Sequence, residues 1–269
     1  MKLIGVDLDG SLLNSKNKIS ERTKNTLIRI MEEGHKLAII TGRDFYASDF
    51  LGKALDFDKY AGLISSSNGA HVYDMKEKKT LINHCLDEKL IKEMIDFGKS
   101  LTFDYIIYHD GEILAENKKA HSLEFLSQKN KMPYRIIGNL EDKIDFPLNK
   151  LLFSARPEII EKNIEKFKDK FNRRVNPIHS MPQFLDCMPL GINKGKSLLE
   201  IADYFSINHE DTYAFGDEIN DMEMIQMAGV GVAMGNASDK LKKEADEITL
   251  SNDKDGIAYY IEKNLLKEK

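Results

Sequence analysis

Asp7-Leu8-Asp9-Gly10-Ser11 sets two carboxylates two positions apart, directly after the apolar run Leu3 to Val6. At a strand end, such a pair can point to one side. Gly10 behind it lets the backbone turn sharply or approach a ligand closely. A solvated acidic turn is the plain alternative, but Val6 and Leu8 put the carboxylates at the rim of a buried strand. Gly216-Asp217-Glu218-Ile219-Asn220-Asp221 repeats the arrangement after another apolar run. Asp217 and Asp221 fall four apart at a helix start. A helix dipole accounts for one acid there. It accounts poorly for Asn220 and the second acid. Thr41 ends a third apolar run, followed by Gly42 and Arg43. Lys194 opens a helix against the dipole, a mild cost that a nearby carboxylate cluster would offset.

If Asp7, Asp9, Asp217 and Asp221 converge, their repulsion needs compensation. Lys194 supplies one positive charge, and a hard divalent cation such as Mg2+ suits oxygen ligands. Carboxylates, a metal, a Lys and a hydroxyl together suit phosphoryl transfer. Competing motifs fail on spacing. Gly191 and Gly195 are separated by three residues where a P-loop needs four. Ser251 to Glu262 resembles a calcium loop, but it starts on Ser and reads as helix from Gly256 onward. Gly229, Gly231 and Gly235 miss the dinucleotide spacing by one residue.

The elements that must position these groups alternate at both ends of the chain. Leu3–Leu8, Lys36–Ile40 and Ala61–Ser65 read as strands, and Ser20 can cap a helix whose Leu27, Ile30 and Met31 share a face. Helix 194–205, strand 212–215, helix 220–228, strand 230–233 and a closing helix 255–266 continue the alternation. This predicts an α/β fold with a parallel sheet and helices on both faces, its ligand at the carboxyl ends of the strands. The middle differs. Helices 88–101 and 158–171 flank strand-like runs 105–108, 112–115 and 151–155, an α+β pattern around an antiparallel sheet. Of the 17 glycines only Gly98, Gly111 and Gly138 lie between Gly69 and Gly191, while all 6 prolines lie between Pro133 and Pro189. A core domain of 1–82 and 189–269, interrupted by a domain at 83–188, is expected.

The chain has 269 residues with net charge -5, and the deficit sits in the last segment. An acidic balance argues against broad binding to nucleic acid, which relies on basic patches. No apolar run approaches the ~18 residues that span a membrane. No secretory signal is expected, because the start has an acid at position 7 and only a short apolar span before it. Cys85 and Cys187 cannot build a disulfide framework, so a reducing cytoplasm is the expected compartment.

Taken in order, Val6-Asp7-Leu8-Asp9-Gly10-Ser11, Thr41-Gly42-Arg43, Asn68-Gly69-Ala70, Asn193-Lys194-Gly195 and Gly216-Asp217-x-x-Asn220-Asp221 resemble the haloacid dehalogenase superfamily of phosphatases. Val232 to Ala237, and Ala245-Asp246 through Asp255-Gly256, match the same pattern. The closer resemblance is to the Cof-type subgroup, with a large α/β cap inserted after the third core strand. Ser11 stands where Thr is more usual. The resemblance implies a Rossmann-like, doubly wound core with an α+β cap. It implies Asp7 as nucleophile forming an aspartyl-phosphate, and Asp9 as acid and then base. Mg2+ would be held by Asp7, the Asp9 carbonyl and Asp217. Leu8, Thr41, Gly42, Lys194 and Asn220 would hold the phosphoryl group, and Asp221 would support the metal or Lys194. Arg43, one residue past the phosphate loop, is the core residue placed to contact the rest of a substrate.

The reading that results is a Mg2+-dependent phosphatase of small phosphorylated metabolites such as sugar phosphates. A phosphomutase or phosphotransferase on the same core stays open, as does a phosphometabolite-binding regulatory module. The module would be expected to lose the nucleophile or acid, yet Asp7 and Asp9 are both present. Substrate choice is expected to follow the insertion. Oligomeric state is not legible.

Overall fold

Strands covered on both faces should be apolar throughout rather than alternating. Leu3–Val6 (β1) meets this description, being buried at all four positions. The computed structural model describes residues 1–266. After β1 come α1 (Glu21–Glu32), β2 (Lys36–Ile40), α2 (Asp49–Ala54), α3 (Phe57–Tyr60), β3 (Leu63–Ser66), β4 (His71–Asp74) and β5 (Lys79–Asn83). The insertion holds α4 (Glu88–Ser100), β6 (Asp104–His109), β7 (Glu112–Ala115), α5 (Leu123–Asn130), β8 (Tyr134–Ile136), β9 (Leu151–Ser154), α6 (Pro157–Phe171), β10 (Val175–Met181) and β11 (Phe184–Pro189). The chain then runs through α7 (Lys194–Tyr204), β12 (Thr212–Gly216), α8 (Met222–Met227), β13 (Val230–Ala233), α9 (Asp239–Glu244), β14 (Glu247–Ile248) and α10 (Gly256–Asn264).

Contacts divide the chain into two compact units, Met1–Ile82 with the chain from Asn193 onward, and Asn83–Ile192. The return falls at Asn193 rather than at 189 because Pro189 is still paired with Val175 in the second sheet. In the first unit the strand order is β14-β13-β12-β1-β2-β3-β4-β5. From β14 to β3 the neighbours are parallel. The sheet is nevertheless mixed, since β4 folds back antiparallel to β3. Ser20 caps α1 by accepting from Thr23 N at 3.1 Å, and Leu27, Ile30 and Met31 are buried beneath it.

The second unit has a six-stranded sheet ordered β10-β11-β9-β6-β7-β8. It departs from a purely antiparallel sheet at β8, which runs parallel to β7. Its apolar core joins α4 and α6 to one set of alternating strand residues, Tyr105, Ile107, Leu114, Leu151, Phe153, Leu185 and Cys187. Among the described residues no helix is long and apolar enough to cross a membrane.

Candidate active site

Parallel register brings the separated motifs together. Val6 of β1 lies beside Phe215 of β12 and Ile39 of β2. The residues that follow, Asp7, Gly216-Asp217 and Thr41, therefore leave the sheet at one edge. Asp7 N donates to Phe215 O at 2.9 Å, and Thr41 N to Ser65 O at 2.8 Å. Gly10 has φ +86°, and a Cβ there would collide with the Asp217 carboxylate. The tight turn after β1 is what allows that approach.

Lys194 arrives from the first turn of α7. Asn193 caps this helix by accepting from Lys196 N at 2.8 Å. Gly69, with φ +101°, fits against Asn193 O and Ser197 Cβ, both 2.7 Å from where a side chain would begin. The Ser67–Gly69 turn is thereby seated on the helix start. The Lys194 ammonium is 1 % exposed and lies 2.5 Å from both Asp7 Oδ1 and Asp221 Oδ1. These partners offset the unfavourable position of a cation at a helix N-terminus.

Asp7, Asp217 and Asp221 each offer a carboxylate oxygen, and the three lie within 4.8 Å of one another. Three hard oxygen donors in this space fit a divalent cation such as Mg2+. Their roles differ by what already engages them. Asp221 is fully buried. Its Oδ1 takes Lys194, and its Oδ2 accepts from Asp217 N at 3.0 Å and Glu218 N at 3.1 Å. It is the best satisfied of the three and fits a supporting part. Asp217 accepts from Ser11 Oγ at 3.0 Å.

Burial, together with the crowding of acids around one ammonium, sets the protonation behaviour of Asp7, Asp217 and Lys194. Burial, then the charge of Asp221, pushes Asp217 up to about 6, while the Ser11 hydroxyl opposes this. The same two causes hold Asp7 well above the usual carboxylate range, against the pull of Lys194. Burial alone would lower Lys194, but Asp221 and Asp7 outweigh it and its pKa is raised. A bound cation would relieve the excess negative charge.

Asp9 stands apart from this cluster. Its carboxylate is half exposed and is gripped by Arg43, with Nε to Oδ2 at 2.8 Å and Nη2 to Oδ1 at 2.5 Å. Arg43 is thus engaged with Asp9, where a substrate contact was expected of it. Thr41 is buried, and its hydroxyl accepts from Arg43 N at 3.2 Å. The Leu8 side chain is wholly buried, so any phosphate contact from Leu8 must come from its backbone. Gly42 follows Thr41 in the same loop and is half-buried, whereas Asn220 is exposed on a short turn, Ile219–Asp221. Two groups carry more than their motifs indicated. Asn236 donates to Gly10 O at 2.8 Å and to Asp217 Oδ2 at 3.5 Å, lacing the β13 side to the acidic turn. Asn68 Oδ1 is a buried acceptor without a partner among the described residues, and it lies 3.0 Å from where a Gly42 side chain would begin. Both stand in stretches quoted for the resemblance, which was the only signal for them.

The family model for haloacid dehalogenase-like hydrolases matches residues 4–261. The chain belongs to that family. This haloacid dehalogenase-like hydrolase is 28% identical to the Bacillus subtilis 5-amino-6-(5-phospho-D-ribitylamino)uracil phosphatase YitU, over 96% of each chain. Its fold matches a haloacid dehalogenase-like hydrolase from Bacteroides thetaiotaomicron with a TM-score of 0.91 and 34% identity, covering 97% of this chain and 98% of that one. A Thermotoga maritima structure matches with a TM-score of 0.87 and 27% identity, covering 99% and 98%. Membership of the haloacid dehalogenase-like hydrolases, with relatives named phosphatases, makes this chain a phosphoric monoester hydrolase.

Proposed function

We propose that the chain is a Mg2+-dependent phosphatase of small phosphorylated metabolites, with sugar or polyol phosphates as the substrate class, and that it works through an aspartyl-phosphate. The observation that carries the chemistry is the pairing of buried Lys194 with Asp7 Oδ1 at 2.5 Å. It fixes one oxygen of the carboxylate and leaves the other to attack phosphorus. A carboxylate nucleophile divides hydrolysis into two easier steps. In the first, the Asp7 oxygen bonds to phosphorus while the bond to the alcohol oxygen breaks, and Asp9 gives that oxygen a proton. In the second, water attacks the aspartyl-phosphate, Asp9 takes its proton, and phosphate leaves with Asp7 restored.

Asp7, Asp217 and the Asp9 carbonyl would hold Mg2+, which supplies charge stabilisation on the transferring phosphoryl group. Thr41, the Gly42 amide, the Leu8 backbone, Lys194 and Asn220 would bind its oxygens, and Asp221 would hold Lys194 in place. The substrate class draws on three Bacillus subtilis relatives, 28% to 29% identical, named for a phosphoribitylamino compound. In this reading the catalytic machinery belongs to the first unit, and the inserted unit acts as the cap that selects the substrate.

The test is phosphate release from p-nitrophenyl phosphate with Mg2+ and with EDTA, combined with acid quenching of the enzyme after mixing with phosphorus-labelled substrate. Metal-dependent release and a hydroxylamine-labile label on Asp7 are expected. Full turnover in EDTA, or an unlabelled enzyme during fast turnover, overturns the reading. Ligand binding without turnover would indicate a regulatory module.

A further inference from the structure

Arg43 is fastened at its backbone before its side chain does anything. Its N–H donates to Thr41 Oγ1 at 3.2 Å, and its carbonyl accepts from Ser67 N at 2.8 Å. Asn68 N donates to Thr41 O at 2.8 Å, so the Ser67–Gly69 turn clamps the loop on both sides of Gly42. Ser67 and Asn68 have positive φ, at 50° and 51°, a conformation that in residues other than glycine persists where surrounding contacts determine it. From this fixed base the Arg43 side chain, 14% exposed, delivers two donors to the two oxygens of Asp9, whose own side chain is 50% exposed. A planar guanidinium matched to a carboxylate in this way sets orientation as well as distance. A half-exposed Asp would otherwise sample several rotamers.

We infer that Arg43 is a positioning residue, which holds the Asp9 carboxylate in the orientation from which it exchanges protons with the leaving alcohol and the attacking water. This rests on the reading of Asp9 as acid and base. It removes Arg43 from the substrate contacts. Each oxygen of a carboxylate can accept more than one hydrogen bond, so Asp9 can meet the substrate while the fork holds it. The grip thus sets where Asp9 points during turnover and does not bind the phosphoryl group.

A group that acts through the acid has a signature that a phosphate-binding or purely structural residue lacks. Expulsion of a poor leaving group, an alkoxide, needs the proton, whereas 2,4-dinitrophenolate leaves without it. The value of kcat/KM covers the steps up to departure of the alcohol, so the comparison is made there. Asp9→Asn, Arg43→Ala and Arg43→Lys are measured with glycerol phosphate and with 2,4-dinitrophenyl phosphate. The fold of each is checked by thermal melting. Asp9→Asn is expected to lose about 10²-fold or more on glycerol phosphate, within the usual range for a general acid, and far less on the dinitrophenyl ester. Arg43→Ala is expected to show the same bias at a smaller size, about tenfold between the two substrates. Arg43→Lys, with one donor able to reach Asp9, should fall between Arg43→Ala and the native enzyme. In the double variant Arg43→Ala, Asp9→Asn, little further loss is expected, because groups acting as a unit are not additive. An equal loss on both substrates, or no loss, in Arg43→Ala overturns the inference while Asp9→Asn retains its bias. If Asp9→Asn itself shows no bias, the acid assignment fails first and the inference falls with it.

Discussion

The two units bury different things. In the first, Asp7, Thr41, Lys194, Asp217 and Asp221 are all at most 6% exposed, crowded at one end of a sheet. In the second, a run of aromatic rings threads a largely aliphatic core. Phe97, Phe103, Phe153, Phe167 and Phe171 form a chain of ring contacts with centroids 4.8 to 6.4 Å apart. The ion pair Lys150 to Asp186 at 3.3 Å is its counterpart among the described residues, and is less enclosed, with side chains 10% and 8% exposed. Hydrocarbon burial is non-directional and stabilises wherever it occurs. Buried charge stabilises only while every partner is present. The first unit therefore holds its reactive groups by a mutual dependence that the second does not need.

Replacing the nucleophile should break this contrast most sharply. Asp7→Asn keeps a hydrogen-bond acceptor for Lys194 and removes the attacking carboxylate. We expect kcat to fall more than about 10²-fold, since loss of a nucleophile in other enzymes costs up to ~10⁶, with a melting temperature close to native. A mutant that retains more than a hundredth of the turnover contradicts the covalent route.

Removing each cation compares the units directly. Lys194→Ala strands two buried carboxylates, and losing one partner of such a group costs about 3–5 kcal/mol. Loss of activity should accompany the loss of stability. Lys150→Ala leaves Asp186 less enclosed and should destabilise by about 1–3 kcal/mol, with hydrolysis of p-nitrophenyl phosphate largely retained. Chemical denaturation and steady-state assays on both variants decide this. Equal stability losses would mean that the two pairs are equivalent after all.

The smallest expected effect is a dependence on pH and metal together. Asp217 moves from an ordinary value of 3.8 to about 6 on folding. Between those values the metal-free folded protein holds a proton that the unfolded chain releases. Stability contributed by the protonated form is then complete below pH 3.8 and lost as pH rises towards 6. Mg2+ binds the ionised carboxylates, so the rise in melting temperature on adding MgCl2 should be larger at pH 7.5 than at pH 5. Scanning calorimetry with Mg2+ and with EDTA reads this. A metal shift that is greater at pH 5 would show that Asp217 is not part of the metal site.

Local sequence determined a good deal. Apolar runs followed by Asp-x-Asp-Gly, Thr-Gly or Gly-Asp announced strand ends carrying polar groups, because strands covered on both faces must be apolar throughout. The bounds of β2 and β13 match the expected residues, and the cap of α1 lies where Ser20 put it. The strand β4 and the edge strand β5 were not legible. Lys79–Asn83 is largely polar and partly exposed, as edges are, and has no run to reveal it. The predicted helix over 220–228 begins later, at Met222, because Asp221 Oδ2 accepts the N–H groups of Asp217 and Glu218 and holds that stretch as a tighter turn. Folding alone also decided the division of labour among the acids. Asp221 is satisfied on both oxygens, Asp217 is steadied by Ser11 from 206 residues away, and Asp9 is held by Arg43 from 34 residues away. Residue type shows that a carboxylate can bind metal, carry a proton or hold a lysine. Which of these it does depends on which donors reach its two oxygens and how much water remains, and parallel packing of distant strand ends sets both.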